Sequence, residues 1–197
     1  MSKGEETRRR ILDRAVLLAS RDGLSGLTIG ELATDLGVSK SGLFAHFGSK
    51  EELQVAVLAA ASERFGQRVL MPSLKAPAGV RRLKALFDYW LAWAADPASP
   101  GGCIFLAAAA ELDDREGKPR DYLVGSQRQL IEFLTKAARL GIEQGELRKD
   151  LDCEGFAYEL HTIILGFNYA RRLMRDRKAE ARARAAFDRL LSRAQTD

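Results

Sequence analysis

The chain has 197 residues, 46% of them hydrophobic, enough to bury a full core and to hold one large or two small domains. Its 31 Lys and Arg against 27 Asp and Glu leave a net charge of +4, too small by itself to argue for a nucleic-acid partner. No apolar run nears the ~18 residues of a membrane span, and the opening MSKGEETRRR has no apolar signal core, so a soluble, cytoplasmic protein is expected.

Two cysteines, Cys103 and Cys153, make neither a disulfide framework nor a zinc site, and no metal or other cofactor is expected. The charge is unevenly placed: 8 Lys and Arg against 6 Asp and Glu over residues 1–50, but 9 against 4 over residues 171–197. Five prolines, many Ala, Leu, Arg and Glu, and no alternating strand pattern predict an all-α chain of about nine helices.

The first helix is expected from about Glu5 to Arg21, with Ile11, Leu12, Ala15, Val16 and Ala19 at core spacing and Asp22-Gly23 as its stop. Its Thr7, Arg8, Arg9 and Arg10 form either a solvated basic turn or a contact for a DNA backbone. The stretch TIGELATDLGVSKSGLFAHFGSKEEL, Thr28 to Leu53, carries the most information. Thr28 with Glu31 forms a capping box in which each side chain satisfies a backbone N–H. Ile29, Leu32, Ala33 and Leu36 share a face, Gly37 permits a sharp turn, and Ser39 caps a second helix of about two turns. Leu43, Phe44 and Phe47 should point back to the first helix, leaving Lys40, Ser41 and Gly42 as a slim, polar and basic outer face. This is the pattern of a helix-turn-helix, whose second helix enters the DNA major groove.

Ser49 and Glu52 form a second capping box, opening a helix that should run unbroken to Met71 and stop at Pro72. Further helices are expected at Val80–Ala95, Cys103–Leu112, Pro119–Gly145, Cys153–Met174 and Arg177–Arg193. Domain boundaries at 1–50 and 51–197 separate a three-helix, DNA-binding head from a larger helical domain for effector binding and dimerisation.

On these residues the first 55 or so positions resemble the TetR family of bacterial transcriptional regulators, and PGGCIFLAAAAELDD and GFNYARRLMRD are similar to C-terminal domains in one branch of it. The resemblance implies a homodimeric, sequence-specific DNA-binding regulator and not an enzyme: a repressor released from a near-palindromic double-stranded operator by a small-molecule effector. Lys40 would then donate to guanine, Ser41 would serve several bases, and Gly42 would allow close approach. His46 and Lys50 would hold phosphates, with Thr28 and Ser39 adding to them. Phe44 stands where the family more often has tyrosine; it is read as core, with contact to a thymine methyl as the other option.

In the larger domain Tyr158, His161, Leu165 and Asn168 fall at helical steps on one face. With Trp90, Phe105 and Phe133 (and Trp93) as aromatic walls, Tyr158, His161 and Asn168 would line a pocket for an apolar effector, or else make bonds across a dimer interface. Phe156, Ile163, Ile164, Phe167, Phe187, Leu190 and Leu191 are expected to build a four-helix bundle with a twofold mate. Cys103 reads as a small buried thiol rather than a redox sensor. Glu111, Asp113 and Asp114 read as a solvated helix end, since no histidine stands at metal-ligand spacing. Two alternatives remain: a DNA-binding dimer without effector, and an enzyme using Cys103 and His161 as nucleophile and base.

Overall fold

The computed structural model describes residues 3–99 and 101–196; Met1, Ser2, Pro100 (in the expected 96–102 loop) and Asp197 lie outside the described residues. Nine helices of two turns or more form among the described residues. They are α1 Lys3–Asp22, α2 Ile29–Leu36, α3 Lys40–Phe47, α4 Lys50–Phe65, α5 Val80–Ala94, α6 Ile104–Leu112, α7 Lys118–Glu143, α8 Cys153–Arg172 and α9 Ala179–Ala194. No strand forms among the described residues; Leu147 and Gln195 make an isolated antiparallel bridge. Among the described residues no helix is long and apolar enough to cross a membrane.

The expected helices are present with ends displaced by one or two residues, save at Pro72. There the chain does not stop. After α4 it widens into a π-helical turn, Gly66–Leu70, in which the Met71 N–H reaches the Gly66 carbonyl, and then makes one more α turn, Met71–Ser73. Pro72 has no N–H to give the carbonyl four residues back and its ring would press on it, so a wider turn just before it lets the helix pass the proline.

The chain groups into two compact units: Met1–Arg64 with Asp96–Ser126, and Phe65–Ala95 with Gln127–Asp197. In the first, Ile11, Ala15 and Ala19 of α1, Leu32 of α2, Leu43 and Phe47 of α3 and Leu53 and Val57 of α4 are all buried. The loop after α1 is held from a distance: the Glu111 carboxylate, on the last turn of α6, accepts from the N–H of Leu24 (2.8 Å) and of Ser25 (2.6 Å). The expectation of a solvated acidic terminus therefore fails for Glu111, which pairs two loop donors; Asp113 and Asp114 are exposed as expected. Glu52 departs likewise. Ser49 caps α4 by accepting from the Glu52 N–H at 3.1 Å, but the Glu52 carboxylate pairs with Lys118 instead of returning to the Ser49 N–H.

In the second unit the short link after α8 folds α9 back beside it. Phe156, Leu160, Ile164 and Phe167 of α8 and Ala183, Phe187, Leu190 and Leu191 of α9 are buried, and Phe187 stacks on Phe87 of α5 with centroids 4.1 Å apart. Helix α5 has no side-chain cap of its own; Glu146 supplies one, accepting from the Val80 N–H at 2.6 Å.

Removing the Glu111 carboxylate strands two loop N–H groups. Glu111→Ala should cost about 2–3 kcal/mol and Glu111→Gln, which keeps one acceptor, about half as much. Urea unfolding monitored by circular dichroism checks this ordering.

Candidate nucleic-acid interface

The turn between α2 and α3 is closed by backbone alone. Gly37 has φ 65° and ψ 31°, a left-handed conformation that side chains disfavour. It lets the Gly37 N–H reach Thr34 O (3.3 Å) and the Val38 N–H reach Ala33 O (3.0 Å), the paired bonds of a Schellman closure. Ser39 then caps α3, its hydroxyl accepting from the Gly42 N–H at 3.0 Å and from the Ser41 hydroxyl at 3.3 Å. A Cβ at residue 42 would stand 2.9 Å from the Ser39 Oγ, so the absence of a side chain at Gly42 also makes room for this cap.

Two anchors from α1 fix the pair. The Arg14 guanidinium donates to both oxygens of Asp35 on α2, at 2.5 and 2.8 Å, and this bond holds the Asp35 carboxyl below the usual carboxylate range. The Arg8 guanidinium lies over the Phe47 ring of α3, 5.1 Å from its centroid. Of the run Arg8–Arg10, this gives Arg8 a packing role that the sequence pattern did not disclose; all three are exposed.

With Leu43 and Phe47 held inward, Lys40, Ser41, Gly42 and Phe44 face outward. Phe44 is 52% exposed, which overturns its reading as core: it falls one position past Leu43, about 100° around the helix from the buried face. Lys40 lies along α2, where a Cβ on Gly30 would be 3.4 Å from its Nζ. His46 is half-buried, its ring tilted beside that of Phe47. The Lys50 ammonium donates to the Ser25 carbonyl at 2.8 Å, so in this structure it braces the loop before α2. Thr28 accepts from the Glu31 N–H at 3.1 Å and donates to the Glu31 carboxylate at 2.9 Å, so the box closes through the hydroxyl rather than through the Thr28 N–H.

The second unit holds an aromatic belt. The Phe65 ring packs edge-on to both Trp90 and Trp93, each at 5.6 Å, and Trp90 stacks on His161 at 5.8 Å. Burial pushes the His161 pKa below its ordinary 6.5. Phe133 is half-buried in this unit, whereas Phe105 is buried in the first. Tyr158 does not join His161. It is 69% exposed and lines an open groove of about 480 Å³ with Glu159, Thr162 and Ile163 of α8 and Ala186 and Arg189 of α9.

That groove also corrects the expected interface. Phe156, Ile164, Phe167, Phe187, Leu190 and Leu191 are each 4% exposed or less, consumed by packing within the unit; of the seven, Ile163 alone reaches the outer face. Apolar residues that cover most of a helix circumference show that it is enclosed but not by which neighbour. Cys103 is buried, as expected.

A family profile described as "Bacterial regulatory proteins, tetR family" matches residues 11–57, and one described as "Tetracyclin repressor-like, C-terminal domain" matches residues 79–187. The chain is similar to the HTH-type transcriptional regulator SrpR of Pseudomonas putida, with 26% identity over 180 residues, 91% of this chain and 81% of that one. Among solved structures, a TetR transcriptional regulator from Chloroflexus aurantiacus J-10-FL superposes with a TM-score of 0.86 at 26% identity, covering 98% of this chain and 96% of that one. AibR, solved with isovaleryl coenzyme A and operator DNA, gives 0.66 at 25% identity over 82% and 84%.

The lowered His161 pKa sets a pH dependence. Above the ordinary value of 6.5 the ring is neutral folded and unfolded; as pH falls below it the unfolded chain takes the proton first, and stability is lost until the lowered folded value is passed. His161→Leu should lose less of its urea midpoint than the parent between about pH 7.5 and about pH 5.

Proposed function

Because the chain belongs to the TetR family of bacterial regulatory proteins, we propose that it is a homodimeric repressor, released from a near-palindromic operator by a small-molecule effector. The observation that carries this reading is the helix-turn-helix of α2 and α3, whose second helix keeps Leu43 and Phe47 in the core and turns Lys40, Ser41 and Phe44 to solvent. AibR, bound to both an acyl coenzyme A and its operator, supports the coupling of ligand and DNA. We assign residues 1–50 to DNA reading and 51–197 to the effector and the dimer, and no catalysis to either.

Lys40 is placed on guanine O6 and N7, with Ser41 beside it. Phe44, exposed and without a hydroxyl, suits a thymine methyl. Thr28, Ser39, His46 and Lys50 stand around α3 for phosphate contact, Lys50 exchanging its bond to the Ser25 carbonyl for one to DNA. One recognition helix gives little specificity; two, about 34 Å apart, read both halves of a palindrome. The outer face of α8 and α9 around Ile163 and Tyr158 is the surface we assign to the second copy.

DNase footprinting on the DNA upstream of the protein's own coding sequence should show a protected near-palindrome, and an unprotected upstream region would overturn the proposal. Lys40→Ala should weaken operator binding by about 1–3 kcal/mol and spare non-specific DNA, whereas Lys50→Gln should weaken both and reduce the salt slope by about one. Ile163→Glu should yield a folded monomer in sedimentation velocity, while Phe187→Ala, about 3–5 kcal/mol less stable, should lower the melting temperature instead.

A further inference from the structure

Two buried polar atoms of the second unit, Trp93 Nε1 and Asn168 Oδ1, find no hydrogen-bond partner among the described residues. Buried polar groups are almost always paired, because an unpaired one forfeits its hydration without return. Trp93 is 7% exposed, so its indole N–H is a donor enclosed by protein.

The two atoms belong to neighbouring stretches of α5 and α8. His161 stacks on Trp90 at one point, and one turn past Asn168 the Arg171 guanidinium donates to the Ala95 carbonyl at 2.9 Å, at the end of α5. Trp93 and Asn168 fall between these two fixed points on their respective helices. Phe65 is wedged edge-on against both indoles, Trp93 included, just before the π turn. A π turn inside an α-helix often marks a functional site.

We propose that this strip of α5 and α8 recognises the effector, and that the effector is a flat, uncharged aromatic compound bearing one hydrogen-bond acceptor, for the Trp93 N–H, and one donor, for Asn168 Oδ1, as in an aromatic lactam. The inference rests on the ligand-responsive reading above and names the chemistry of its ligand. Aromatic walls favour a flat partner. A cation is disfavoured because the guanidinium of Arg68 already lies over the Trp93 ring, 5.5 Å from its centroid. An anion is disfavoured because the unpaired Asn168 Oδ1 is itself an acceptor and needs a donor opposite it.

The chain has two tryptophans, and both are in the belt, so tryptophan fluorescence, excited where the four tyrosines do not absorb, reports on this place alone. Quinolin-2(1H)-one, a flat lactam, should quench it saturably. Its N-methyl derivative, which lacks the donor, should bind about tenfold more weakly, the cost of one hydrogen bond, and N-methylquinolinium more weakly still. Trp93→Phe, which keeps an aromatic ring and loses the N–H, should lose about the same factor, read through Trp90.

Absence of saturable quenching by the lactam, equal affinity for lactam and N-methyl lactam, or tightest binding of the cation would each overturn the proposal. The analogue series is run on the unaltered chain, so it decides the matter even if the variant misfolds. A gel shift with upstream DNA on the same sample separates the two readings: DNA binding without lactam binding sinks this inference alone, and lactam binding without DNA binding sinks the regulatory one.

Discussion

The left-handed backbone at Gly37 sets the angle between α2 and α3, and the outward face of α3 depends on it. Two backbone bonds close α2 at that residue, the chain reverses within three residues, and Ser39 restarts it as α3. Once that angle is set, Leu43 and Phe47 have one direction in which to be buried, and Lys40, Ser41 and Phe44 have only solvent to face. Arg14 on Asp35 and Arg8 on Phe47 then tie each of the two helices to α1. An outward face cannot also be packed, so its geometry is held from behind.

Both units solve the same problem of unpaired backbone donors with a carboxylate from a distant element. Glu111 serves the loop that precedes α2, across 87 residues, and Glu146 serves the first turn of α5, across 66. A helix start or tight loop without a local cap leaves N–H groups that must be paired before they can be buried. A carboxylate with two acceptor oxygens does this at little steric cost, and ties the elements it bridges.

The aromatic belt differs in kind from these structural contacts. Its rings satisfy one another through edge and face packing, yet the indole N–H of Trp93 and the carbonyl of Asn168 are left over. The adjacent π turn accommodates Pro72 while keeping Phe65 between the two indoles. Two buried polar atoms thus stay unpaired, which an interior selected only for stability would not leave.

The helices, their order and the helix-turn-helix were legible in the sequence, because periodicity, caps and turn glycines act within a few residues. The slim outer face begun by Lys40, Ser41 and Gly42 was legible for the same reason, as was the buried state of Cys103. What a pattern cannot contain is a choice among distant partners. It made Phe44 a core residue, although a short helix packed on one side through Leu43 and Phe47 leaves the position about 100° from Leu43 to solvent. It assigned Phe156, Ile164 and Phe187 to a second copy, although α8 and α9 spend them on each other and offer Ile163 and Tyr158 outward. It left Glu111 to solvent and closed Glu52 on its own helix, where long-range partners claim both. Local backbone chemistry was decided by the sequence alone; the use of each apolar face and each carboxylate was decided only when tertiary packing brought its competitors within reach.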